Sequence, residues 1–144
     1  MTRPRPATIL LIEDNQMDAL RTIQALNETH FLNEVRCVSR AEDAQQLLLS
    51  GEQFDLILLD LSLPGMSGQE FLSWVKAEPE LRRTPVVVLS SSEADQDIAR
   101  AYDTGVSAYL VKPVSLAKLT ESVSTLGVFY FEMVVLPPND GQPS

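Results

Sequence analysis

The sequence has little cysteine, little positive charge and no long apolar run, and each shortage excludes a class of protein. With Cys37 as its one cysteine, the chain has no internal disulfide, which fits a reducing cytosol. No run approaches the roughly 18 apolar residues of a membrane span, and the stretch from Met1 to Pro6 lacks the apolar region of a signal peptide. We therefore expect a cytoplasmic protein without a membrane partner.

Basic residues are outnumbered by acidic ones. The chain has 20 acidic and 11 basic residues, which give a formal net charge of −9. Such a charge is unfavourable near a phosphate backbone and argues against nucleic acid as a direct partner. Its 144 residues, of which 44% are hydrophobic, are enough for one proper core and predict a single globular domain.

Four apolar runs end in polar side chains. The runs 8–12, 56–59, 85–89 and 108–111 are followed or closed by Glu13-Asp14, Asp60, Ser90 and Lys112. Continuous apolar runs of this length are typical of strands buried on both faces of a parallel sheet. Because the carboxyl ends of parallel strands share one edge of the sheet, we expect these polar groups to gather there.

Segments with helical spacing separate these runs. Ser67 and Glu70 have the spacing of a capping box, and Ser92–Asp95 is typical of another helix start. Gly105 is expected to end that helix, and Ser115 to open the last one.

A fifth strand is predicted in the short alternating segment Glu34–Val38, where we expect Cys37 to be a small core residue. Strand and helix then alternate five times. This order predicts an α/β fold, a doubly wound five-stranded parallel sheet of the (βα)5 type covered on both faces.

The strand-end residues form a chemically coherent set. Glu13, Asp14 and Asp60 bring three negative charges, and Lys112 compensates only one of them. The excess negative charge should raise the pKa of a carboxyl group unless a cation binds nearby. Ligands that are all oxygen favour a hard divalent ion, magnesium above all. Lys112 and the Ser90 hydroxyl could then hold phosphoryl oxygens while Asp60 acts as the nucleophile.

Other kinds of phosphate-binding site are excluded, because the sequence lacks residues that they require. A phosphatase of the haloacid dehalogenase type would have a second Asp two residues after the nucleophile, where Ser62 stands. A dinucleotide or nucleoside triphosphate site would have glycines after the first strand, where Glu13-Asp14-Asn15 stands. The segment Asp14–Asp18 lacks the glycine and the final glutamate of a calcium loop.

These motifs together resemble the receiver domain of two-component response regulators, the CheY-like (flavodoxin-like) fold. The matching elements span nearly the whole chain and are Ile12-Glu13-Asp14, Leu59-Asp60, Leu63-Pro64-Gly65-Met66-Ser67-Gly68, Val88-Leu89-Ser90 and Tyr109-Leu110-Val111-Lys112-Pro113. The resemblance implies a signalling domain that catalyses only its own aspartyl phosphorylation and dephosphorylation.

The resemblance also implies a role for each site residue. Asp60 would be the phosphoacceptor, and Mg²⁺ would be held by Asp14, by Asp60 and by the backbone carbonyl of Ser62, with Glu13 acting through water. Many receivers carry Asn or another long polar residue where this chain has Ser62, so the phosphoryl lifetime does not carry over from relatives.

Three further residues would respond to the phosphoryl group. Ser90 would be the switch hydroxyl, Tyr109 the switch aromatic and Lys112 the lysine that pairs with the phosphoryl group. The family pattern also implies a cis peptide bond before Pro113.

The end of the chain resembles that of small stand-alone regulators paired with phytochrome histidine kinases. The shared features are Phe129-Tyr130 and Leu136-Pro137, together with the run Val86–Ser92. The implied partner is a sensor histidine kinase, of the bacteriophytochrome kind. By the family pattern it would dock around Gln16, Asp18, Arg21 and Pro113.

The last part of the chain carries an apolar seam with the 3.5-residue period of paired helices. It predicts an extended C-terminal helix and a homodimer whose interface includes Leu119, Val123, Leu126, Phe129, Tyr130 and Met133. We expect a receiver domain over 1–126, an apolar extension over 127–136 and a loose tail over 137–144. The alternative is a helix that folds back onto its own core.

A second function of another class stays open, a dimeric interaction scaffold or phosphate sink with no dedicated output. The complete set of site residues argues against a vestigial site. No output domain is expected, since only the apolar extension follows the receiver.

Overall fold

A computed structural model describes residues 7–28 and 33–123. Five strands and five helices alternate along this part of the chain. In order they are β1 Ala7–Ile12, α1 Gln16–Asn27, β2 Asn33–Val38, α2 Ala41–Leu49, β3 Leu56–Asp60, α3 Gly68–Ala77, β4 Val86–Ser90, α4 Asp95–Thr104, β5 Ala108–Val111 and α5 Leu116–Val123.

The five strands form one parallel sheet with the order β2-β1-β3-β4-β5. The chain first winds outward from β1 to β2 and then crosses to β3, β4 and β5, so β1 and β3 are neighbours at the centre. The predicted (βα)5 doubly wound fold is confirmed. Among the described residues, no helix is long and apolar enough to cross a membrane.

Successive side chains of the central strands point to opposite faces and form two cores. On one face, Ile9 and Leu11 of β1 belong to a core that includes Leu26 of α1 and Leu119 of α5. Leu10 and Ile12 of β1 belong to the opposite core, which is covered by α2, α3 and α4. Burial on both faces explains why β3 and β4 read as unbroken apolar runs.

The helix ends follow local signals in the sequence. The Ser67 hydroxyl accepts from the Glu70 N–H while the Glu70 carboxylate accepts from the Ser67 N–H, so the predicted capping box is present. Gly105 follows α4 in the left-handed region, with φ of 118°. Helix α4 begins at Asp95, the last residue of the predicted start segment, with Ala94 in the cap position.

Two predictions of side-chain environment are wrong. Cys37 is exposed, because β2 is an edge strand and only part of its inner face is covered. Leu119 is fully buried in its own core, so it is not available to a dimer partner. Val123 is the last described residue of α5, so the rest of the predicted extended helix lies outside the described residues. The same holds for the side chain of Val123 and for the other predicted interface residues, Leu126, Phe129, Tyr130 and Met133.

Candidate functional site

The register of the sheet brings the predicted polar strand ends to one edge. Ile12 pairs with Leu59 one residue before the acidic groups, and the following pairs in the register are Asp60 with Leu89 and Ser90 with Val111. An open cavity of about 460 Å³ lies at this edge and is lined by Asp14, Asn15, Asp18, Arg21, Asp60, Ser62, Ser91, Lys112 and Pro113. The edge of a doubly wound sheet where the strand order reverses is where such folds bind ligands.

Three carboxylates converge at this edge of the sheet, and two of them, Asp14 and Asp60, line the cavity. Glu13, Asp14 and Asp60 each offer an oxygen, and these oxygens lie within 4.8 Å of one another. Glu13 and Asp60 are buried, whereas Asp14 is exposed to the cavity. Donors that are all carboxylate oxygen fit a hard divalent cation such as Mg²⁺.

Glu13 is the carboxylate most affected by this crowding. Burial raises the pKa of Glu13, and although its hydrogen bond to Lys112 lowers the pKa, the neighbouring Asp60 raises it further, to about 7. The sequence predicted a raised carboxyl pKa from the excess of negative charge. The direction is confirmed, but the main cause is loss of hydration rather than repulsion.

Both oxygens of Glu13 are already engaged within the protein. Oε1 accepts from the Lys112 ammonium at 2.7 Å, and Oε2 accepts from the Asn15 N–H at 3.2 Å. Asp14, by contrast, faces the cavity. This difference agrees with a direct ligand at Asp14 and an indirect contribution from Glu13.

Lys112 contacts one more carboxylate than the sequence suggested. Its Nζ donates to Asp18 Oδ2 at 3.0 Å and lies 3.4 Å from Asp60 Oδ2. Burial alone would lower the pKa of Lys112, but the hydrogen bonds to Glu13 and Asp18 and the charge of Asp60 outweigh it and raise the pKa. Lys112 therefore stays charged at neutral pH.

The loop after β3 is built against Asp60. The Ser62 N–H donates to Asp60 Oδ1 at 3.0 Å, which fixes the carboxylate orientation. Gly68 packs directly on the backbone of Asp60 and Leu61, and any Cβ at this position would overlap the Asp60 carbonyl oxygen. A larger residue than glycine at 68 would push this loop away from the site.

Ser90 and Tyr109 are joined through Ser92. Ser90 is buried at the end of β4, and its hydroxyl accepts from the Ser92 N–H at 3.1 Å. The Tyr109 hydroxyl donates to the Ser92 carbonyl at 3.0 Å. Ser92 also donates through its own hydroxyl to Asp97 in the first turn of α4, at 2.6 Å. The two predicted switch residues thus share one hydrogen-bonded loop.

The structure brings together Glu13, Asp14, Asp60 and Lys112 as predicted, and Ser62 lines the same cavity. The peptide bond between Lys112 and Pro113 is cis, as expected. Two contacts were missed. Asp18 was assigned to partner docking alone, yet its carboxylate is bonded to Lys112.

The second missed contact is the helix cap. Asn15 caps α1 by accepting from the Asp18 N–H, and no cap was predicted for this helix. No local sequence pattern signalled the first contact, because Asp18 and Lys112 are 94 positions apart. The signal for the second was an Asn immediately before the helical segment.

Comparison with known proteins agrees with this geometry. Residues 9–124 match the family described as Response regulator receiver domain. The chain is 36% identical over 139 residues to Response regulator Rcp1 of Synechocystis sp., and the alignment covers 92% of this chain and 94% of the relative.

Two solved structures are similar along almost their whole length. The Mn²⁺-bound form of response regulator Rcp1 has a TM-score of 0.75 at 33% identity, and the match covers 92% of this chain and 99% of that one. The phosphorylated cyanobacterial phytochrome response regulator RcpA has a TM-score of 0.75 at 35% identity, with the same coverage. On its fold, its strand-end site and these matches, the chain belongs to the response regulator receiver domain family.

Proposed function

We propose that this protein receives a phosphoryl group on Asp60 in a two-component phosphorelay. The observation that carries the proposal is the convergence of Asp60 with Asp14 and Lys112 in one open cavity at the sheet edge, with the buried Glu13 beside them. In the reaction, a carboxylate oxygen of Asp60 attacks phosphorus, the bond from phosphorus to the donor breaks, and the donor leaves with the electron pair. The product is an aspartyl phosphate.

The side chains around Asp60 supply charge and position. We propose that Asp14, Asp60 and the Ser62 carbonyl hold Mg²⁺, with Glu13 acting through water. The bound cation would neutralise charge on the phosphoryl oxygens. In this proposal Lys112 pairs with one phosphoryl oxygen, and the Ser90 hydroxyl donates to a different one. The relative Rcp1 has a structure in a Mn²⁺-bound form, which supports the proposal that this chain binds a divalent cation.

The test is a mass measurement of the purified chain after incubation with acetyl phosphate. Wild type should gain one phosphoryl group only when Mg²⁺ is present. Asp60→Asn should gain none, and Asp14→Ala should lose both the phosphoryl gain and the rise in melting temperature that millimolar Mg²⁺ gives to wild type. Uptake by Asp60→Asn at the wild-type rate would exclude Asp60 as the acceptor.

We further propose a sensor histidine kinase of the phytochrome class as the donor. The similar protein RcpA is a phytochrome response regulator, which supports this class. The proposed docking surface is α1 beside the cavity, where Met17 and Leu20 are exposed at 59% and 61% and Arg21 lines the cavity. Leu20→Ala, at an exposed residue that does not line the cavity, should slow transfer from the kinase and leave labelling by acetyl phosphate unchanged. An equal loss with both donors would place the defect in the site.

We also propose that residues 127–136 extend the receiver domain of 1–126 into a dimer interface and that 137–144 form a tail. The support lies in the sequence, where Val128–Leu136 carries a single charged residue, Glu132. Leu119 is no longer part of this proposal, because it is buried in its own chain.

A further inference from the structure

The ammonium of Lys112 is shared among three carboxylates, and one of them belongs to α1. Nζ lies 2.7 Å from Glu13 Oε1, 3.0 Å from Asp18 Oδ2 and 3.4 Å from Asp60 Oδ2. The contacts to Glu13 and Asp18 are hydrogen bonds. A lysine ammonium has three N–H donors, so these two bonds leave a single donor for the group on Asp60.

Asp18 is held in place independently of Lys112. It lies in the first turn of α1, where its N–H donates to the side chain of the capping residue Asn15 at 3.0 Å. A carboxylate at this end of a helix is also favoured by the helix dipole. The backbone of Asp18 is therefore fixed without Lys112, and its carboxylate attracts the Lys112 ammonium towards α1.

We propose that Asp18 is a positioning residue that holds Lys112 towards α1 and thereby slows phosphorylation of Asp60 by small phosphodonors. The inference rests on the function proposed above, in which Lys112 pairs with a phosphoryl oxygen. An N–H of Lys112 that donates to Asp18 cannot at the same time donate to an oxygen of the transferred phosphoryl group. Only interactions that strengthen in the transition state raise the rate, so freeing this donor accelerates transfer.

The expected effect is modest because the pair is partly open to solvent. The side chain of Asp18 is 29% exposed and that of Lys112 15%. Solvent weakens an ion pair of this exposure, so its loss should change the rate about two- to fivefold.

The test compares Asp18→Asn with Glu28→Gln in the full chain. Asn keeps the size of the side chain and the N–H that Asn15 caps, whereas Glu28→Gln removes one negative charge from the far end of the same helix. With saturating Mg²⁺, the initial labelling rate is measured by mass over a range of acetyl phosphate concentrations. Asp18→Asn should raise the rate at saturating donor about two- to fivefold, and Glu28→Gln should leave it unchanged.

This design separates release of Lys112 from a general effect of charge. Easier approach of an anionic donor would lower the half-saturating acetyl phosphate concentration without changing the saturated rate. An unchanged saturated rate in Asp18→Asn, or an equal rise in Glu28→Gln, overturns the proposal.

A second measurement does not depend on phosphorylation. The ¹⁵N NMR signal of the Lys112 ammonium should shift, and its protons should exchange faster with water, in Asp18→Asn but not in Glu28→Gln. An ammonium signal identical to that of wild type would show that Asp18 does not hold Lys112. If wild type takes up no phosphate at all, the function proposed for Asp60 is wrong. The ammonium signal still shows in that case whether Asp18 positions Lys112.

Discussion

At the scale of single residues, Glu13 is the site carboxylate whose protonation is most changed by folding. Glu13 is buried, bonded to Lys112 and close to Asp60, and its pKa rises to about 7. Between about pH 4.5 and about pH 7 the folded chain therefore binds more protons at Glu13 than the unfolded chain does. The stabilising contribution of Glu13 is present below this window and is lost as the pH rises through it.

The same shift predicts how Mg²⁺ binding depends on pH. Below about pH 7 the cation must compete with a proton on Glu13, so the apparent Mg²⁺ affinity should rise from about pH 6 to about pH 8 and then level off. Calorimetric titration at several pH values measures this. Glu13→Gln is the matched control and should bind more weakly, with little pH dependence in that range. A wild-type affinity that stays constant across it would contradict the assignment.

The sequence predicted which side chains lie together at the site, but it did not predict all of the hydrogen bonds between them. The strand-end positions of Asp60 and Lys112 follow from apolar runs that can be read directly. The bond between Lys112 and Asp18 joins residues 94 positions apart and depends on how α1 lies over β5. No local pattern in the sequence reports that distance.

At the scale of elements, α4 is fixed to the sheet by few buried contacts. Ala101 is its one buried residue. Polar contacts supply much of the rest, since Thr104 accepts from Gln69 of α3 at 2.9 Å and Asp97 accepts from Ser92 at 2.6 Å. An element with few buried contacts can shift at low cost.

Movement of Ser90 towards a phosphoryl group should therefore reach α4 through Ser92. Ser90→Ala should still accept phosphate on Asp60 but should reduce the changes in amide chemical shift that phosphorylation causes in α4. Ser73→Ala, at an exposed position of α3, is the matched control and should respond as wild type does. A full α4 response in Ser90→Ala would exclude this coupling without affecting the chemistry at Asp60.

Helix and strand boundaries were predicted well where a local signal was strong. The capping box at Ser67 and the glycine at 105 define ends of α3 and α4 through contacts within a few residues. The environment of Cys37 was predicted wrongly because an alternating pattern does not tell whether a strand lies at the centre or the edge of a sheet.

At the scale of the whole molecule, the (βα)5 order was predictable because apolar runs that alternate with helical segments are typical of a parallel sheet covered by helices on both faces. The environment of Leu119 was not predictable in the same way. Its 3.5-residue spacing with later apolar residues fits a paired helix, but the same face of α5 is also the one that covers β1 and β3. Leu119 therefore packs in the core of its own chain and not against a helix of a partner chain.

The dimer proposal gives a direct test at this scale. Truncation after Leu126 should produce a monomer that still takes phosphate on Asp60, because the site lies within the remaining chain. The full-length chain should sediment as a dimer at tens of micromolar, with an interface of about 800 Å² per partner. A full-length monomer at that concentration would refute the dimer and would favour the extension as a docking surface for another protein.

The central claim is that Asp60 itself becomes phosphorylated. The most direct measurement is reduction of the acetyl phosphate-treated protein with borohydride, which converts a phosphorylated aspartate to homoserine, followed by peptide mass mapping. Phosphorylation of Asp60 should give homoserine at position 60, and only when Mg²⁺ was present during labelling. Homoserine at Asp14 or at another aspartate, with Asp60 unmodified, would show that the acceptor is a different residue.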